Sequence, residues 1–243
     1  GTFGKVPMPD AKYIKVKGFK DKLAFLWAVD YFYHDFPVIS LAPSESYASW
    51  GRFFKQFEYI NSHYDVIVCD DNTSLKLAAV RHFPLTKIQT CYNHLKENYR
   101  RILKVRSQSK YKHFMSLVEE VLCSEKISLE EFNTRLQTAF DLYHNDPLAF
   151  SIIMDLKKRE KEIHAHRFLS CSPKTTNLIE GFNSQLESRL FSIRTFQSYE
   201  HASLWLNGYV LKRRFTQFTN CKGQFKNLNG KRPIEITLKK EKI

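Results

Sequence analysis

The chain has 243 residues, 43% hydrophobic and 26% charged, which suits a folded globular protein and argues against disorder. No apolar run approaches the roughly 20 residues of a membrane-spanning helix, no basic-then-apolar leader opens the sequence, and its five cysteines are odd in number and irregularly spaced, so a reducing, intracellular (cytoplasmic) setting is expected and secreted or membrane-bound classes drop out. The 38 Lys and Arg against 25 Asp and Glu leave a net charge of +13, which points to a polyanionic partner, most commonly nucleic acid.

The chain opens on Gly-Thr-Phe without Met, and it is expected to be a processed product or a piece of a longer protein. Residues 13–17 alternate apolar and charged side chains, as a half-buried strand does. Leu23–Val29 is a nearly continuous apolar run that suits a central strand, and Phe36–Leu41 offers a third, with Pro37 tolerated at its start or on an edge. The short connections make these three an antiparallel meander. Behind Ser44 in the N-cap position, Tyr47, Trp50, Phe54 and Phe57 recur at helical spacing. Residues 65–69 form a short buried strand that stops at the paired acids Asp70 and Asp71. The pattern then predicts a helix over 73–82 and a fifth strand over 85–90.

From Cys91 to about Ser172 the β signal vanishes, and residues 95–105, 111–123, 129–143 and 147–167 all carry helical periodicity. Ser128-Leu-Glu-Glu131 is a helix start of the capping-box type. Two further helices are predicted over 175–191, with Leu178, Phe182, Leu186 and Leu190 on one stripe, and over 198–215. Beyond Thr219 the composition turns to Asn, Gly and Lys, and a loose tail is expected. The outline is an α/β fold: a mixed sheet, an all-helical block, then closing helices.

The positive charge is concentrated. Lys96, Arg100, Arg101, Lys104, Arg106, Lys110 and Lys112 oppose only Glu97 within one stretch, a local net of +6, and the chain from Lys212 onward carries another +8. Either stretch alone could be a solvated face. Two of them on an otherwise balanced chain favour contact with phosphates, and Lys96–Lys112 and Lys212-Arg213-Arg214 are the two candidate tracks along a DNA backbone.

Three acids invite a chemical reading. Asp70 ends a buried strand, Asp10 lies near the first strand, and Glu180 lies on a late helix. Carboxylates converging from two strands and a helix can hold a pair of hard divalent cations, which prefer oxygen ligands, and such a pair supports phosphoryl transfer. Composition alone does not select this triple among 25 acids. Cys91-x-x-His94 raises the possibility of zinc with His164 and His166, but there is no second Cys pair, and the two later histidines, two residues apart on one predicted helix, point to different sides. Zinc is disfavoured. Trp27, Trp50 and Trp205 fall on apolar stripes and read as core.

Residues 66–80, from Val66-Ile-Val-Cys-Asp70 into the following helix, then Phe83-Pro84, then Gln89-Thr-Cys91-Tyr-Asn-His94, resemble the heart of the Mutator-type bacterial insertion-sequence transposases. Downstream, Thr175-Thr-Asn-Leu-Ile-Glu180-Gly-Phe-Asn183 is similar to the family's segment carrying its catalytic Glu. The resemblance spans about Asp10 to Asn220. It implies a ribonuclease-H-like core with a mixed five-stranded sheet and flanking helices, interrupted by an all-helical insertion. The implied division is 1–91 for the first part of the core, 92–172 for the insertion, 173–218 for the second part, and 219–243 for a basic tail.

The resemblance also implies roles. Asp10, Asp70 and Glu180 would hold two Mg²⁺ (or Mn²⁺) ions, with Asp30 as the alternative first acid and Asp71 a neighbour of the ligands. His94 would steady the scissile strand with Cys91 packed beneath it. Thr176 and Asn177 would cap the helix of Glu180 or touch DNA, and Asn183 would stand near the site. The implied activity is metal-dependent cleavage at element ends and strand transfer into target double-stranded DNA by a homo-oligomer. The competing readings are a ribonuclease-H-like nuclease that cuts without joining, an inactive or domesticated copy that only binds DNA, and a zinc-stabilised binding module.

Overall fold

The computed structural model describes residues 3–60, 63–123, 128–169 and 171–238. The chain divides into two compact units, one formed by Gly1–Ile88 with Thr176–Ile243 and the other by Gln89–Thr175.

The first unit is built on strands β1 (Pro7–Ile14), β2 (Leu23–Asp30) and β3 (Ile39–Ala42), an antiparallel sheet in the order β1-β2-β3. Every residue of β2 is buried, as the unbroken apolar run requires of a central strand. Gly18, at φ 89°, supplies the left-handed residue in the β1–β2 connection. Helix α1 (Tyr47–Glu58) buries Trp50, Phe53, Phe54 and Phe57, while Tyr47 remains exposed. Its cap is Ser46, whose hydroxyl accepts from Ser49 N, and not Ser44. Strand β4 (Val66–Cys69) leads into α2 (Thr73–His82), capped by Asn72. Strand β5 (Lys87–Thr90) is hydrogen-bonded to β4.

The five expected strands are present, but they form a sheet of three and a sheet of two. The two prolines of β1 account for the division. In β1, Met8 and Asp10 lie opposite Val29 and Trp27. Ala28 N donates to Val38 O on the β3 side, so its odd-numbered neighbours in β2 direct their backbone groups to β1. The odd-numbered residues of β1 therefore turn their backbone groups away from β2, toward β4. Lys5 O accepts from Asp65 N and Val66 N, but the next two positions are Pro7 and Pro9, which have no N–H to give. β4 lies beside β1 without a continuous ladder. The prolines also explain why the alternating pattern marks residues 13–17 while the strand itself runs from Pro7 to Ile14. Val16 makes only an isolated bridge to Phe196.

The first unit closes with α8 (Asn177–Ile193) and α9 (Tyr199–Phe215), α8 packing on β1 and β2. Of the loose tail expected beyond Thr219, residues 220–238 carry regular elements, and residues 239–243 lie outside the described residues. A 3-10 turn spans Gly223–Leu228, and α10 (Pro233–Thr237) packs on α9. Tyr31 and His34, between β2 and β3, meet Phe225 at ring-centroid distances of 5.2 and 4.4 Å.

The second unit is helical. Helices α3 (Tyr92–Ile102), α4 (Lys112–Cys123), α5 (Leu129–Tyr143), α6 (Pro147–Lys158) and α7 (Glu160–Ile163) enclose a core that includes Leu95, Phe114, Val118, Phe132, Leu136, Ile152 and Leu156. Ser128 caps α5 and Asp146 caps α6, with Pro147 in the first helical turn, where its missing N–H costs nothing. The single helix expected over 147–167 is broken: α6 and α7 meet at Arg159, and a 3-10 turn spans Ala165–Phe168. No helix among the described residues is long and apolar enough to cross a membrane.

Candidate active site

Asp70 follows the last residue of β4 and is half-buried. Its charge acts on two further side chains, Tyr13 and Glu45. The Tyr13 phenol, on β1, is pushed up to about 12 by burial, by its hydrogen bond to Glu45 and by the charges of Glu45 and Asp70. The Glu45 carboxyl is raised by burial; the Tyr13 hydrogen bond opposes this and the charge of Asp70 adds to it. Glu45 also accepts from Asn72 Nδ2 at 2.7 Å. With Lys5 paired to the start of β4 and Tyr13 sensing the residue after its end, β4 runs along β1 in the same direction. Asp71 is held by Lys76 Nζ at 2.8 Å.

Asp10 lies midway along β1, half-buried and opposite Trp27. One carboxylate oxygen accepts from Ala11 N at 2.7 Å and the other from Asn183 Nδ2 at 2.5 Å. Asn183 in turn accepts from the Trp27 indole N–H at 3.0 Å, so one amide joins α8 to both β1 and β2. Glu180 precedes Asn183 by three residues and therefore shares its side of α8. Thr176 stands at the N-cap of α8 but does not cap it. Its hydroxyl donates instead to Glu180 Oε1 at 2.6 Å. Asp10 and Asp70 are thus carried on neighbouring strands, and Glu180 on the helix docked against the first of them.

Asp30 occupies a different place. It pairs with Pro7, three strand positions or about 10 Å from Asp10. It is 1% exposed, and its carboxylate accepts the backbone N–H groups of Gly4, Phe32 and Tyr33. It closes the turn after β2. A Cβ on Gly4 would come within 2.7 Å of the carboxylate, so a larger residue there would force the Asp30 side chain to shift.

The family model described as Transposase, Mutator family, matches residues 35–219. The chain belongs to that family. The matched range takes in Asp70 and Glu180 and begins downstream of Asp10 and Asp30. No curated protein matches this transposase-family chain by sequence. Among solved structures it is similar to the HTLV-2 integrase catalytic core domain with magnesium, in a dimeric form (16% identity, 57% of this chain and 87% of that one) and a trimeric form (16%, 63% and 98%), each with a TM-score of 0.31. The simian T-cell lymphotropic virus intasome, in complex with PP2A regulatory subunit B56 gamma, matches at 11% identity over 71% of this chain and 58% of that one, again with a TM-score of 0.31. Likeness at that level transfers nothing to a Mutator-family chain.

The second unit holds the remaining candidates. Buried Cys91 is the N-cap residue of α3 and makes no side-chain cap bond, and His94 follows, half-buried, in the first turn. Lys96, Arg100 and Arg101 continue along α3. Lys104 then takes a left-handed backbone, φ 49°, where the helix ends. Arg101, Lys104 and Arg106 line a concavity of about 560 Å³. Arg100 pairs with Glu119 and Glu97, and Arg106 reaches Glu97 at 3.9 Å, so part of this charge is balanced within the unit. His166 Nδ1 lies 3.0 Å from Gln89 Oε1, and its ring centroid is 6.3 Å from that of His164.

In the first unit, the candidate track Lys212-Arg213-Arg214 is split by its surroundings. Arg214 is engaged within the chain: its guanidinium grips the fully buried Asp35 through two bonds of 2.8 and 2.9 Å, and Thr237 Oγ1 donates to the same carboxylate. A buried carboxylate needs that neutralising fork. Asn177, the first residue of α8, is exposed, as is Lys212.

Proposed function

We propose that the chain is the catalytic domain of a DNA transposase with a ribonuclease-H-like core, in which Asp10, Asp70 and Glu180 form the carboxylate site. The observation that carries this reading is the Asn183 bridge, which ties the helix of Glu180 to Asp10 on the strand beside Asp70. The three proposed donors are carboxylates, hard oxygen ligands that suit Mg²⁺ or Mn²⁺. Two such ions, when bound, would stabilise the attacking and leaving oxygens of a phosphodiester.

The chain's own contribution is placement. Asn183 fixes the plane of the Asp10 carboxylate, and the Thr176 hydroxyl fixes one oxygen of Glu180. The partial burial of all three acids keeps their field strong toward a substrate. In this reading residues 92–172 act as the insertion domain. Lys96, Arg101, Lys104 and Arg106, with His94, contact the backbone of double-stranded DNA without reading its sequence. Asn177 and Lys212 supply further contacts from the core, and an oligomer handles the two element ends inside the cell.

The test is Mn²⁺ binding to the purified chain beside Asp70→Asn and Glu180→Gln, followed by incubation with element-end DNA. The expected result is binding by wild type, weakened at least about ten-fold by either substitution, and products that include joined strands. Cleavage without joining would indicate a nuclease. Equal Mn²⁺ binding by all three proteins, or by none, would favour a copy that only binds DNA.

A further inference from the structure

Helix α9 buries Ala202, Leu206 and Val210, and along one edge of that stripe it carries the half-buried aromatic side chains Trp205 and Tyr209. These two rings are stacked one helical turn apart, with centroids 5.6 Å apart and planes within 10°. They line a concavity of about 600 Å³ between α8 and α9, together with Arg189, Gly208, Lys212 and Arg213. A volume of this size is in the range of small-ligand sites.

Three features indicate what the concavity accepts. Among the described residues, Arg189, Lys212 and Arg213 make no ion pair, unlike much of the charge on α3. The charges of Arg213 and Arg189 both act on the Tyr209 phenol, against the rise caused by its burial, so the cations stand beside the aromatic pair. Arg213 Nε is also buried without a hydrogen-bond partner while its guanidinium lies over Phe182 at 5.2 Å.

Gly208 adds a separate argument. Glycine inside a helix costs about 0.5–1 kcal/mol relative to alanine. A Cβ at Gly208 would meet nothing within 4 Å, so packing does not demand glycine there. What the missing side chain does is leave room in the concavity that Gly208 lines beside the stacked rings.

A flat aromatic surface flanked by unbalanced cations matches a planar base carrying a phosphate. In a duplex both faces of each base are already stacked, so only an unpaired or extruded base could use the surface. We propose that the α8–α9 concavity binds an unpaired nucleotide of the DNA substrate, its base stacked on the Trp205–Tyr209 pair and its phosphates met by Arg189 and Lys212. This deepens the proposed function and rests on it for the DNA.

The test compares wild type, Gly208→Leu and Tyr209→Leu by fluorescence anisotropy on a blunt duplex, the same duplex with a single-stranded overhang, and oligothymidylate. Gly208→Leu fills the cavity and restores helix propensity, and its thermal unfolding serves as the folding control. The expected result is a loss of about ten-fold or more on the overhang and on oligothymidylate for both variants, the scale of one base–aromatic stack, with blunt-duplex affinity unchanged. Undiminished overhang binding by both variants would overturn the proposal and leave the DNA reading standing. An equal loss on all three DNAs would also overturn it, making the patch a general backbone contact. Free thymidine monophosphate binding as tightly as oligothymidylate would reassign the site to mononucleotides. If wild type binds none of the DNAs, both the proposal and the DNA reading fail.

Discussion

Asn183 Nδ2 donates to Asp10 at 2.5 Å across 173 residues of sequence, and the same amide's oxygen accepts from the indole of Trp27, which is fully buried. Replacing Asn183 with Ala removes both bonds and leaves the indole N–H without its acceptor. The expected cost is about 1–3 kcal/mol of stability, read by urea unfolding. Because Asp10 also loses the group that orients it, Mn²⁺ affinity is expected to fall about ten-fold. A variant that loses stability but keeps full Mn²⁺ affinity would remove Asn183 from the site and leave it a packing residue.

The Arg214–Asp35 pair makes a contrasting prediction. Asp35 has no exposure, and Arg214 and Thr237 surround its carboxylate. Arg214→Gln strands a buried charge and is expected to destabilise the chain by about 3–5 kcal/mol. Adding Asp35→Asn should recover much of that loss, since the charge is then gone from both sides. If Arg214 were instead a DNA contact, Arg214→Gln would weaken DNA binding with unfolding unchanged.

These two pairs mark how far the sequence could be read. Local signals were legible: the continuous run of β2, the aromatic spacing of α1, and Ser128 before α5 each act within a few residues. The family segments around Asp70 and Glu180 were legible for the same reason. The division of the sheet was not, because it depends on which way Pro7 and Pro9 face once β1 is paired with β2. Glu45 is not legible as a neighbour of the site because only the folded chain brings it to Tyr13 and the charge of Asp70. Arg214 looked like part of a basic track because its partner, Asp35, is 179 residues away.

His164 should make the helical unit sensitive to acid. It is 6% exposed, it meets Phe132 edge-on at 4.7 Å, and neither ring nitrogen has a hydrogen-bond partner. Burial, then the charge of Arg167, lowers its pKa from 6.5 to about 4. A base whose folded-state pKa lies below its unfolded value stays neutral while the unfolded chain takes up a proton. Stability is therefore unaffected above about pH 6.5 and falls as the pH drops toward 4, by about 2 kcal/mol at pH 5 from this residue alone. His164→Phe keeps the packing and removes both unpaired nitrogens. It should be at least as stable as wild type at pH 7 and lose less on going to pH 5, as measured by urea unfolding at both values. An equal loss in the two proteins would show that His164 is not the titrating group.

Asp30 titrates with the opposite sign, and its variant also separates the two candidates for the first acid. Burial raises its pKa from 3.8 to about 6, although three backbone N–H groups and their hydrogen bonds pull the other way. The folded chain then holds a proton between pH 4 and 6 that the unfolded chain has released, so stability declines as the pH rises through that window. From the size of the shift the decline is about 3 kcal/mol, complete above pH 6. Asp30→Asn carries no such charge and should flatten this part of the profile. Asp30 lies about 10 Å along the sheet from Asp10, in its own set of turn hydrogen bonds, so the substitution should leave Mn²⁺ affinity within about two-fold of wild type. Asp10→Asn should do the reverse, weakening Mn²⁺ binding by about ten-fold or more while leaving the slope between pH 4 and 6 in place. Loss of Mn²⁺ binding in Asp30→Asn and its retention in Asp10→Asn would exchange the two residues and move the site to the end of β2.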